Sequence, residues 1–421
     1  MYKRQFLKHV VGTSLTWPLV SQLEKWTSVI QHMSVEEAAK DEVFWSQIRS
    51  AYRLKSDYIN LENGYYCIIP QETLENYIQH IRHVNYEGSH YMRTVQWDNK
   101  DYMAAKMAHL IHAREDEVII TRNTTESLDT IISGMDWKKG DEAVFAIHDY
   151  GAMRNQFALM ARRYGIKNNI VAVPLHPLSD EEIVDVYAAA ITEKTRLLMV
   201  CHMINVTGHI LPVRKICDMA HARGVDVMVD GAHAVGHIQV DMEALGCDYY
   251  GSSLHKWTSV PLGAGLLYVR KGKAKDVWPL YAEWGKEDDD IKKLNHTGTH
   301  PVATDLAISN AIDYLQMIGL DRKEARLRFL QNRWTDQVRG VPRIIVNTPV
   351  DRHRSCGIAN VGIEDMPPAE LADTLLKDYN IFTVAIDNPG VQGCRITPNV
   401  YTTLEEVDAL AAALKDIATR A

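Results

Sequence analysis

The sequence has no long apolar run, no excess of basic charge and no paired-cysteine motif, and each absence argues against a class of protein. No stretch of about 18 apolar residues occurs in the 421-residue chain, so no membrane-spanning helix is predicted. The formal net charge of −8 gives no support for a nucleic-acid or anionic-membrane surface. The six cysteines contain no C-x-x-C pair, and the histidines show no recognised ligand spacing. No metal site is therefore predicted.

The fingerprint of a nicotinamide-binding Rossmann oxidoreductase, Gly-x-Gly-x-x-Gly, is also absent. Its nearest candidate begins Gly263-Ala264-Gly265 but has Tyr268 where the third glycine would stand, which argues against that class of enzyme. The composition, 46% hydrophobic and 24% charged, is that of an ordinary globular protein. A chain of this length can bury a large core and is expected to form two domains.

The most informative stretch lies between Val225 and Trp257. An apolar, β-branched run ends on Asp230, and a second short run, from Cys247 to Tyr250, leads into Lys256. Strand-length runs separated by a helix-compatible segment predict a β-α-β unit. Chemistry in open parallel sheets is found at the carboxyl ends of strands, and both Asp230 and Lys256 fall there.

A buried lysine amine can form a Schiff base with an aldehyde, because burial favours its neutral form. A carboxylate one strand away suits a pyridine nitrogen, which it would keep protonated. Lys256 and Asp230 together therefore suggest pyridoxal phosphate. Taken singly, the lysine could be a solvated surface charge and the aspartate a helix cap or turn former.

The motifs DGAHAVG, from Asp230 to Gly236, and SLHKW, from Ser253 to Trp257, resemble the class V branch of fold-type I pyridoxal-phosphate enzymes. The resemblance extends over roughly residues 57 to 421 and is strongest to the isopenicillin N epimerase-like branch. It implies an α/β fold with a large domain, whose mainly parallel seven-stranded sheet lies between helices, and a smaller C-terminal α/β domain. The expected divisions are an arm of the small domain at 31–70, the large domain at 71–315 and the small domain at 316–421.

Two turns are candidates for binding the cofactor, one at its phosphate and the other at its ring. Thr124 and Thr125 open a predicted helix after the strand Glu117 to Thr121, and a helix N-terminus of this kind is a ready anion site. The alternative is that both threonines are only helix caps. The resemblance assigns them to the cofactor phosphate and makes Tyr150 the residue that stacks on the ring, with His148 or plain core packing as the alternatives.

The remaining cofactor residues follow from the resemblance. Asn205, in the segment from Cys201 to Pro212, would bond the phenolic oxygen of the cofactor, although it could equally cap a turn. His233, His255 and Ser253 would lie near the ring and phosphate. Thr299 would reach across a two-fold interface to the phosphate of a partner, which implies a homodimer; a helix cap is the alternative.

The substrate would be a small amino acid or amino-acid derivative. Arginine is suited to a bidentate grip on a carboxylate, and Arg395 matches the substrate-carboxylate arginine of the family. Asn63 and Gly64 are candidate substrate contacts, or else a plain turn. Lys256 would then act as general base at the α-carbon, with Asp230 supporting the cofactor ring.

The outcome of the reaction is left open between three possibilities. Epimerisation or C–S lysis is favoured and transamination is the alternative, while a non-catalytic binding protein of the same fold is the hypothesis from another class. A cysteine desulfurase is disfavoured, because the region from Phe382 to Gly393 contains no cysteine and Cys394 adjoins Arg395. Cys201, Cys247 and Cys394 are interpreted as structural thiols.

The first 30 residues resemble a twin-arginine export signal. A basic start including Lys3 and Arg4 precedes a mildly apolar stretch from Val10 to Val20, which is the layout of a secretory signal. Lys3 stands in place of the first arginine, and no clear cleavage site follows. The expectation is a periplasmic protein; the alternative is an amphipathic N-terminal helix on a cytoplasmic one.

Overall fold

The structure is a computed structural model that describes residues 27, 30, 32–283 and 285–420. Its centre is a seven-stranded sheet in the order β2-β8-β7-β6-β5-β3-β4. These strands are β2 (Val118–Thr121), β3 (Glu142–Ala146), β4 (Lys167–Val171), β5 (Thr195–Cys201), β6 (Asp226–Asp230), β7 (Tyr249–Ser253) and β8 (Gly265–Val269). The neighbours from β7 to β4 are parallel, and β8 alone runs antiparallel to β2 and β7. The predicted α/β fold with a mainly parallel seven-stranded sheet is confirmed.

Helices cover both faces of this sheet, except that the first two pack in a separate core with Tyr314, Ile318 and Tyr401. In chain order they are α1 (Val35–Ala38), α2 (Glu42–Ser50), α3 (Gln71–Glu87), α4 (Ser89–Thr94), α5 (Gln96–Leu110), α6 (Thr124–Gly134), α7 (Gly151–Tyr164), α8 (Asp180–Ala190), α9 (Val213–His221), α10 (Met242–Leu245), α11 (Val302–Ile318) and α12 (Leu320–Val338). Successive strand residues point to opposite faces. Leu198 therefore packs in the core under α5, α8, α9 and α11, whereas Leu197 packs in the core under α6 and α7.

A second, antiparallel sheet follows α12 in the order β12-β13-β10-β9. Its strands are β9 (Ile344–Val346), β10 (Ala359–Ile363), β12 (Val384–Asn388) and β13 (Val391–Ile396), and its helices are α13 (Pro368–Tyr379) and α14 (Leu404–Arg420). The short strand β1 (Ile59–Asn60) pairs in parallel with β11 (Ile381–Phe382). Residues before α3 thus pack against the C-terminal part of the chain, where Leu61 joins the core of that sheet.

Several predicted elements are divided in the structure. Charged and apolar residues mixed at three- and four-residue spacing predict a helical stretch at 71–114. It forms α3, α4 and α5, because Gly88 adopts a positive φ of 56° between the first two. Helical periodicity at 34–56, with Ser34 and Glu37 in capping-box positions, likewise predicts one helix. The structure forms α1 and α2 there, separated by the cap Asp41, and the predicted capping box is confirmed. The run from Ile381 to Ala385 predicts one strand of the smaller domain, but it is split between β11 and β12, which pair with different partners.

The predicted domain boundaries stay a prediction; the one between residues 315 and 316 falls inside α11, near its end. The export signal predicted for the first 30 residues lies outside the described residues, apart from residues 27 and 30. Within the described part of the chain, no helix combines the length and apolarity that crossing a membrane requires.

Candidate active site

The carboxyl ends of β5, β6 and β7 lie side by side, because Cys201 pairs with Asp230 and Asp230 pairs with Gly251. A pocket of about 220 Å³ opens at this edge of the sheet. It is lined by eleven residues predicted from the sequence: Gly64, Thr124, Thr125, Tyr150, Asn205, Asp230, His233, Ser253, His255, Lys256 and Arg395. Tyr65, Asn123, Cys201, Met203 and Ala232 complete the lining.

Lys256 follows β7 and is half-buried in the pocket. Burial lowers the pKa of its amine to about 8, although the nearby carboxyl of Asp230 acts in the opposite direction. Its Nζ lies 3.2 Å from Nε2 of His233. At neutral pH, the neutral fraction of this amine is therefore roughly two orders of magnitude larger than that of an exposed lysine. Such an amine can attack a carbonyl carbon.

Asp230 is the last residue of β6 and is buried. Burial raises the pKa of its carboxyl, whereas a hydrogen bond from the Ala232 amide and the charge of Lys256 oppose the rise. The amide of Ala232 donates to Oδ1 over 3.0 Å. A buried carboxylate requires a cation or donor for its remaining lone pairs, and a protonated ring nitrogen in the pocket would meet that need.

Another part of the pocket lining, at the start of helix α6, is an array of hydrogen-bond donors. Helix α6 begins here, and its cap Asn123 accepts a hydrogen bond from the Glu126 amide. Oγ of Ser253 lies 2.9 Å from the amide of Thr124 and 2.7 Å from its hydroxyl. Nδ1 of His255 is buried without a hydrogen-bond partner among the described residues, and burial lowers the pKa of this imidazole to about 4. A helix N-terminus with these donors is suited to a phosphate group.

Arg395 is held by an ion pair that the sequence did not predict. Its Nε and Nη2 donate to the two carboxylate oxygens of Glu62 over 3.2 and 2.5 Å, and its Nη1 donates to the carbonyl of Asn205 over 3.3 Å. Both side chains of the ion pair are only 8% exposed. Gly64 lies against the guanidinium so closely that a Cβ there would be 2.9 Å from Cζ. The arginine is thus rigidly placed at the pocket wall.

Tyr150 and His148 differ in how accessible their side chains are for stacking on a cofactor ring. Tyr150 lines the pocket and is 46% exposed, so one end of its ring is open to a ligand. His148 is buried and its Nε2 lies 3.0 Å from the carbonyl of Pro389, at the turn between β12 and β13. This arrangement favours Tyr150, as predicted, for the stacking position.

Two predicted residues do not line the pocket of this chain. Asn63 is buried, donates to the carbonyl of Thr397 over 2.7 Å and accepts from the hydroxyl of Tyr401 over 2.6 Å. Its side-chain amide thus connects the loop after β1 to the segment after β13, and its predicted contact with substrate stays a prediction. Thr299 is exposed outside the pocket. Its role across a dimer interface also stays a prediction.

Glu62 and Asn123 are the functional candidates that sequence reasoning missed. Asn123 directly precedes the predicted Thr124, and its capping position gave a usable signal. Glu62 adjoins Asn63, but nothing in the sequence links it to Arg395, 333 residues away. Asp149 was missed as well: it is buried, and burial raises the pKa of its carboxyl to about 7.

The pocket therefore combines a nucleophilic amine, a buried carboxylate, a donor array for an anion and an arginine for a carboxylate. This donor set fits pyridoxal phosphate, with Lys256 for its aldehyde, Asp230 for its ring nitrogen and Thr124, Ser253 and His255 for its phosphate. Among the residues that the structure describes, no group of three or more His, Cys, Asp or Glu side chains could hold a metal ion. Fold and site together define an α/β enzyme of the pyridoxal-phosphate-dependent class.

The chain belongs to the aminotransferase class-V family, whose model matches residues 67–410. It is 27% identical to isopenicillin N epimerase of Streptomyces clavuligerus, with 88% of this chain and 97% of that protein covered. It is 28% identical to a probable cysteine desulfurase of Halalkalibacterium halodurans, with 82% and 88% covered. The fold is similar to that of the solved structure of a C-DES variant with glycine covalently linked to its PLP cofactor, at a TM-score of 0.79, 20% identity and coverage of 87% and 99%.

These comparisons confirm the family expected from the motifs, and pyridoxal phosphate is the cofactor that agrees with both the family and the pocket. Other cysteine desulfurases are also similar to the chain. The comparisons therefore do not support the expectation that a cysteine desulfurase is disfavoured.

Proposed function

We propose that this protein is a pyridoxal-phosphate-dependent enzyme that acts at the α-carbon of an amino acid or amino-acid derivative, as an epimerase or a C–S lyase. The observation that carries the proposal is the joint placement of Lys256, Asp230 and Arg395 in one pocket. An amine for the cofactor aldehyde, a carboxylate for its ring nitrogen and a cation for a substrate carboxylate are all needed for this chemistry. Transamination is the alternative outcome.

When bound, pyridoxal phosphate supplies an aldehyde for a Schiff base and a ring that takes up electrons. Arg395 orients the substrate through its carboxylate. Lys256 removes the α-proton onto Nζ and can return it, because a group with a pKa of about 8 exchanges protons efficiently near neutral pH. Asp230 holds a proton on the ring nitrogen, and its burial strengthens that interaction by excluding water.

The choice between outcomes depends on where the proton goes after Lys256 has removed it. Epimerisation requires a proton donor on the face opposite Lys256, and the hydroxyl of Tyr150, which lines the pocket and is 46% exposed, is the proposed donor. C–S lysis requires instead a leaving group on the β-carbon. The resemblance of the whole chain to isopenicillin N epimerase supports proton transfer at the α-carbon in either case.

A desulfurase that holds sulfur on its own cysteine is the less favoured alternative. Such a cysteine must be reachable and ionisable, yet all six cysteines are buried. Burial raises the pKa of the Cys394 thiol to about 11. The strand β12 and the strand β13, which contains Arg395, are joined by a tight turn at Pro389 and Gly390, which leaves no long loop for a mobile cysteine.

We further propose a homodimer in which Thr299 contacts the partner's cofactor phosphate. Thr299 is exposed, and so are Trp278 and Tyr281, at 69% and 54%. Light scattering at micromolar concentration is expected to give twice the chain mass, and a monomer with full activity would contradict the proposal. Export to the periplasm, with a cytoplasmic location as the alternative, rests on residues 1–30 alone and is tested by fractionation of cells that express the full chain.

The first test is the absorbance spectrum of the protein loaded with pyridoxal phosphate, beside Lys256→Ala. A band near ~420 nm that borohydride fixes only in the wild type is expected for a Schiff base on this lysine. Absence of the band from both proteins would remove the enzymatic proposal and favour a binding protein of the same fold. Amino acids are then screened by proton exchange at the α-carbon in heavy water, with Lys256→Ala as the control.

A further inference from the structure

Trp257, the residue after Lys256, is connected to the amine of Lys256 through a histidine. The indole is fully buried, and its Nε1 donates to Nδ1 of His233 over 3.2 Å. The other ring nitrogen of His233, Nε2, lies 3.2 Å from Nζ of Lys256. His233 itself is buried. Three residues thus form one continuous line of hydrogen bonds that ends on the amine.

The indole determines which nitrogen of His233 carries the proton. An indole N–H can only donate, so Nδ1 of His233 must be the acceptor. A neutral imidazole then carries its proton on Nε2. Burial is the largest cause that holds the pKa of His233 well below its usual range, and the charge of Arg395 acts in the same direction, so the ring stays neutral. Nε2 can therefore only donate to Lys256, and an amine accepts a hydrogen bond only when it is unprotonated.

Trp257 is in turn held from two sides. Lys323 on α12 is buried, and its Nζ donates to the carbonyl of Trp257. No carboxylate of the described residues forms an ion pair with it. His237 stacks on the indole with ring centroids 3.7 Å apart. It accepts from the Gly357 amide at Nε2 over 2.8 Å and so donates from Nδ1 to the carbonyl of His233 over 2.9 Å.

We propose that Trp257 and Lys323 are positioning residues that hold His233 in its Nε2–H form, so that His233 donates to Lys256 and favours the unprotonated, nucleophilic form of this lysine. The inference rests on the assignment of Lys256 as the Schiff-base lysine in the proposed function. The other groups that act on the amine are Asp230, Arg395, Cys67, Cys201 and His255. Of these, Asp230, Cys67 and Cys201 favour the ammonium form, whereas Arg395 opposes it, and the donor from His233 opposes it as well.

The test measures the reactivity of Lys256 in the cofactor-free protein. Wild type and Trp257→Phe are labelled with acetic anhydride between pH 6 and 10, and the Lys256 peptide is quantified by mass spectrometry. Phenylalanine retains the stacking on His237 but releases Nδ1 of His233. The ring can then accept from the ammonium, so the labelling midpoint is expected to rise by about one pH unit, a roughly ten-fold lower rate at pH 7. An unchanged midpoint in Trp257→Phe would overturn the proposal.

Trp137→Phe is the matched control. Trp137 is also buried, but its Nε1 donates over 2.7 Å to the carbonyl of Ile132, outside the pocket. Its removal is expected to leave the labelling of Lys256 unchanged. A shift equal to that of Trp257→Phe would show a general effect of losing a buried indole and would also overturn the proposal.

A second measurement determines directly which ring nitrogen of His233 carries the proton. Nitrogen-15 spectra of histidine-labelled, cofactor-free protein, in which His233 is identified by its loss in His233→Gln, are expected to show the Nε2–H form in wild type. Lys323→Met is expected to give a mixture of both forms, whereas Lys100→Met, which removes another buried lysine, is expected to retain the wild-type form. A charge effect of Lys323 alone would leave the form of His233 unchanged and would overturn its positioning role.

Both measurements are made without cofactor, so the two proposals fail separately. If the labelling of Lys256 is as predicted but no absorbance band forms, the proposed function is contradicted. If the band forms but the labelling midpoint does not change in Trp257→Phe, only the inference about positioning is contradicted.

Discussion

Glu62 and Arg395 form a bidentate ion pair at the wall of the pocket, across 333 residues of sequence. Glu62 also accepts a hydrogen bond from the amide of Tyr65 over 3.0 Å, which holds the carboxylate in place. One edge of the guanidinium is therefore occupied before a substrate arrives, and Nη1 is directed by the carbonyl of Asn205. The substrate carboxylate must approach the remaining edge, which restricts its orientation.

Glu62→Gln is expected to change stability and binding in opposite directions. Loss of the charge leaves a buried guanidinium without its counterion, at a cost of about 3 kcal/mol in the free energy of unfolding. It also removes a negative charge beside the substrate carboxylate, so the dissociation constant of the best amino acid from the exchange screen is expected to fall roughly ten-fold. Urea unfolding and spectral titration measure the two effects.

The matched control for this substitution is Glu406→Gln, which breaks a more exposed pair with Arg49, far from Lys256. It is expected to cost less than about 1 kcal/mol and to leave substrate binding unchanged. Weaker substrate binding in Glu62→Gln would mean that Glu62 contributes to holding the substrate rather than competing with it.

Gly64→Ala is expected to displace Arg395 without unfolding the protein. A Cβ at this position would lie 2.9 Å from Cζ and 3.0 Å from Nη2 of the arginine, closer than side chains approach one another, so the guanidinium must move. A shift of this kind is expected to raise KM roughly ten-fold or more, with turnover at saturation less affected. Gly151→Ala, where an added Cβ meets no atom within 4 Å, is the control, and equal KM values in the two variants would contradict the prediction.

Lys323 should make stability depend on pH above neutrality. Burial lowers the pKa of its amine to about 8, below its unfolded value of about 10.5. Between these values the unfolded chain binds more protons, so this group destabilises the fold below pH 8 and ceases to do so as the pH approaches 10.5. Lys323→Met does not titrate, and its stability relative to wild type should therefore be greatest near pH 7 and decline by about 3 kcal/mol towards pH 10.

The measurement is urea unfolding of both cofactor-free proteins at pH 7 and pH 9.5. Taking the difference between them cancels the titration of tyrosines and cysteines, which both proteins share. A difference that is the same at the two pH values would show that Lys323 stays protonated in the folded state over this range and that its pKa is not lowered.

Asp149→Asn should show the opposite dependence, in the acid range. Burial raises the pKa of Asp149 to about 7, above its unfolded value of about 3.9. Between these values the folded chain binds more protons, so this carboxyl lowers stability as the pH rises towards 7. Asparagine can still accept from the Ala146 amide, which donates to Oδ2 over 2.7 Å in the wild type.

The free energy of unfolding of Asp149→Asn relative to wild type is therefore expected to increase by a few kcal/mol between pH 4.5 and 7, at about 1.4 kcal/mol per unit of pKa shift. Urea unfolding at the two pH values measures this change. Asp218→Asn, at a mostly exposed carboxyl, is the control and should show no comparable slope. A flat difference for Asp149→Asn would place Asp149 in the ionised state throughout.

The parts of the site that were predicted from the sequence are those that depend on local pattern. Asp230 ends a β-branched run and Lys256 follows the next one, and a parallel sheet brings such ends to one edge. Thr124 and Thr125 open a helix after a strand, which is a local signal as well. The division of 381–385 between two sheets was not predictable, because its apolar residues carry the same pattern whichever strand they pair with.

By itself, the sequence determined the order of strands and helices, the family and the residues of the cofactor pocket, since each depends on short-range periodicity or on a contiguous motif. Only the tertiary structure decided that Glu62 pairs with Arg395, that Asn63 braces a loop instead of lining the pocket, and that Trp257 reaches Lys256 through His233. Those contacts join residues that are 24 to 334 positions apart in the chain, and the pKa values of Lys256 and Asp149 depend on burial by the packed helices and sheets. Neither the distant contacts nor the burial exists until the chain has folded.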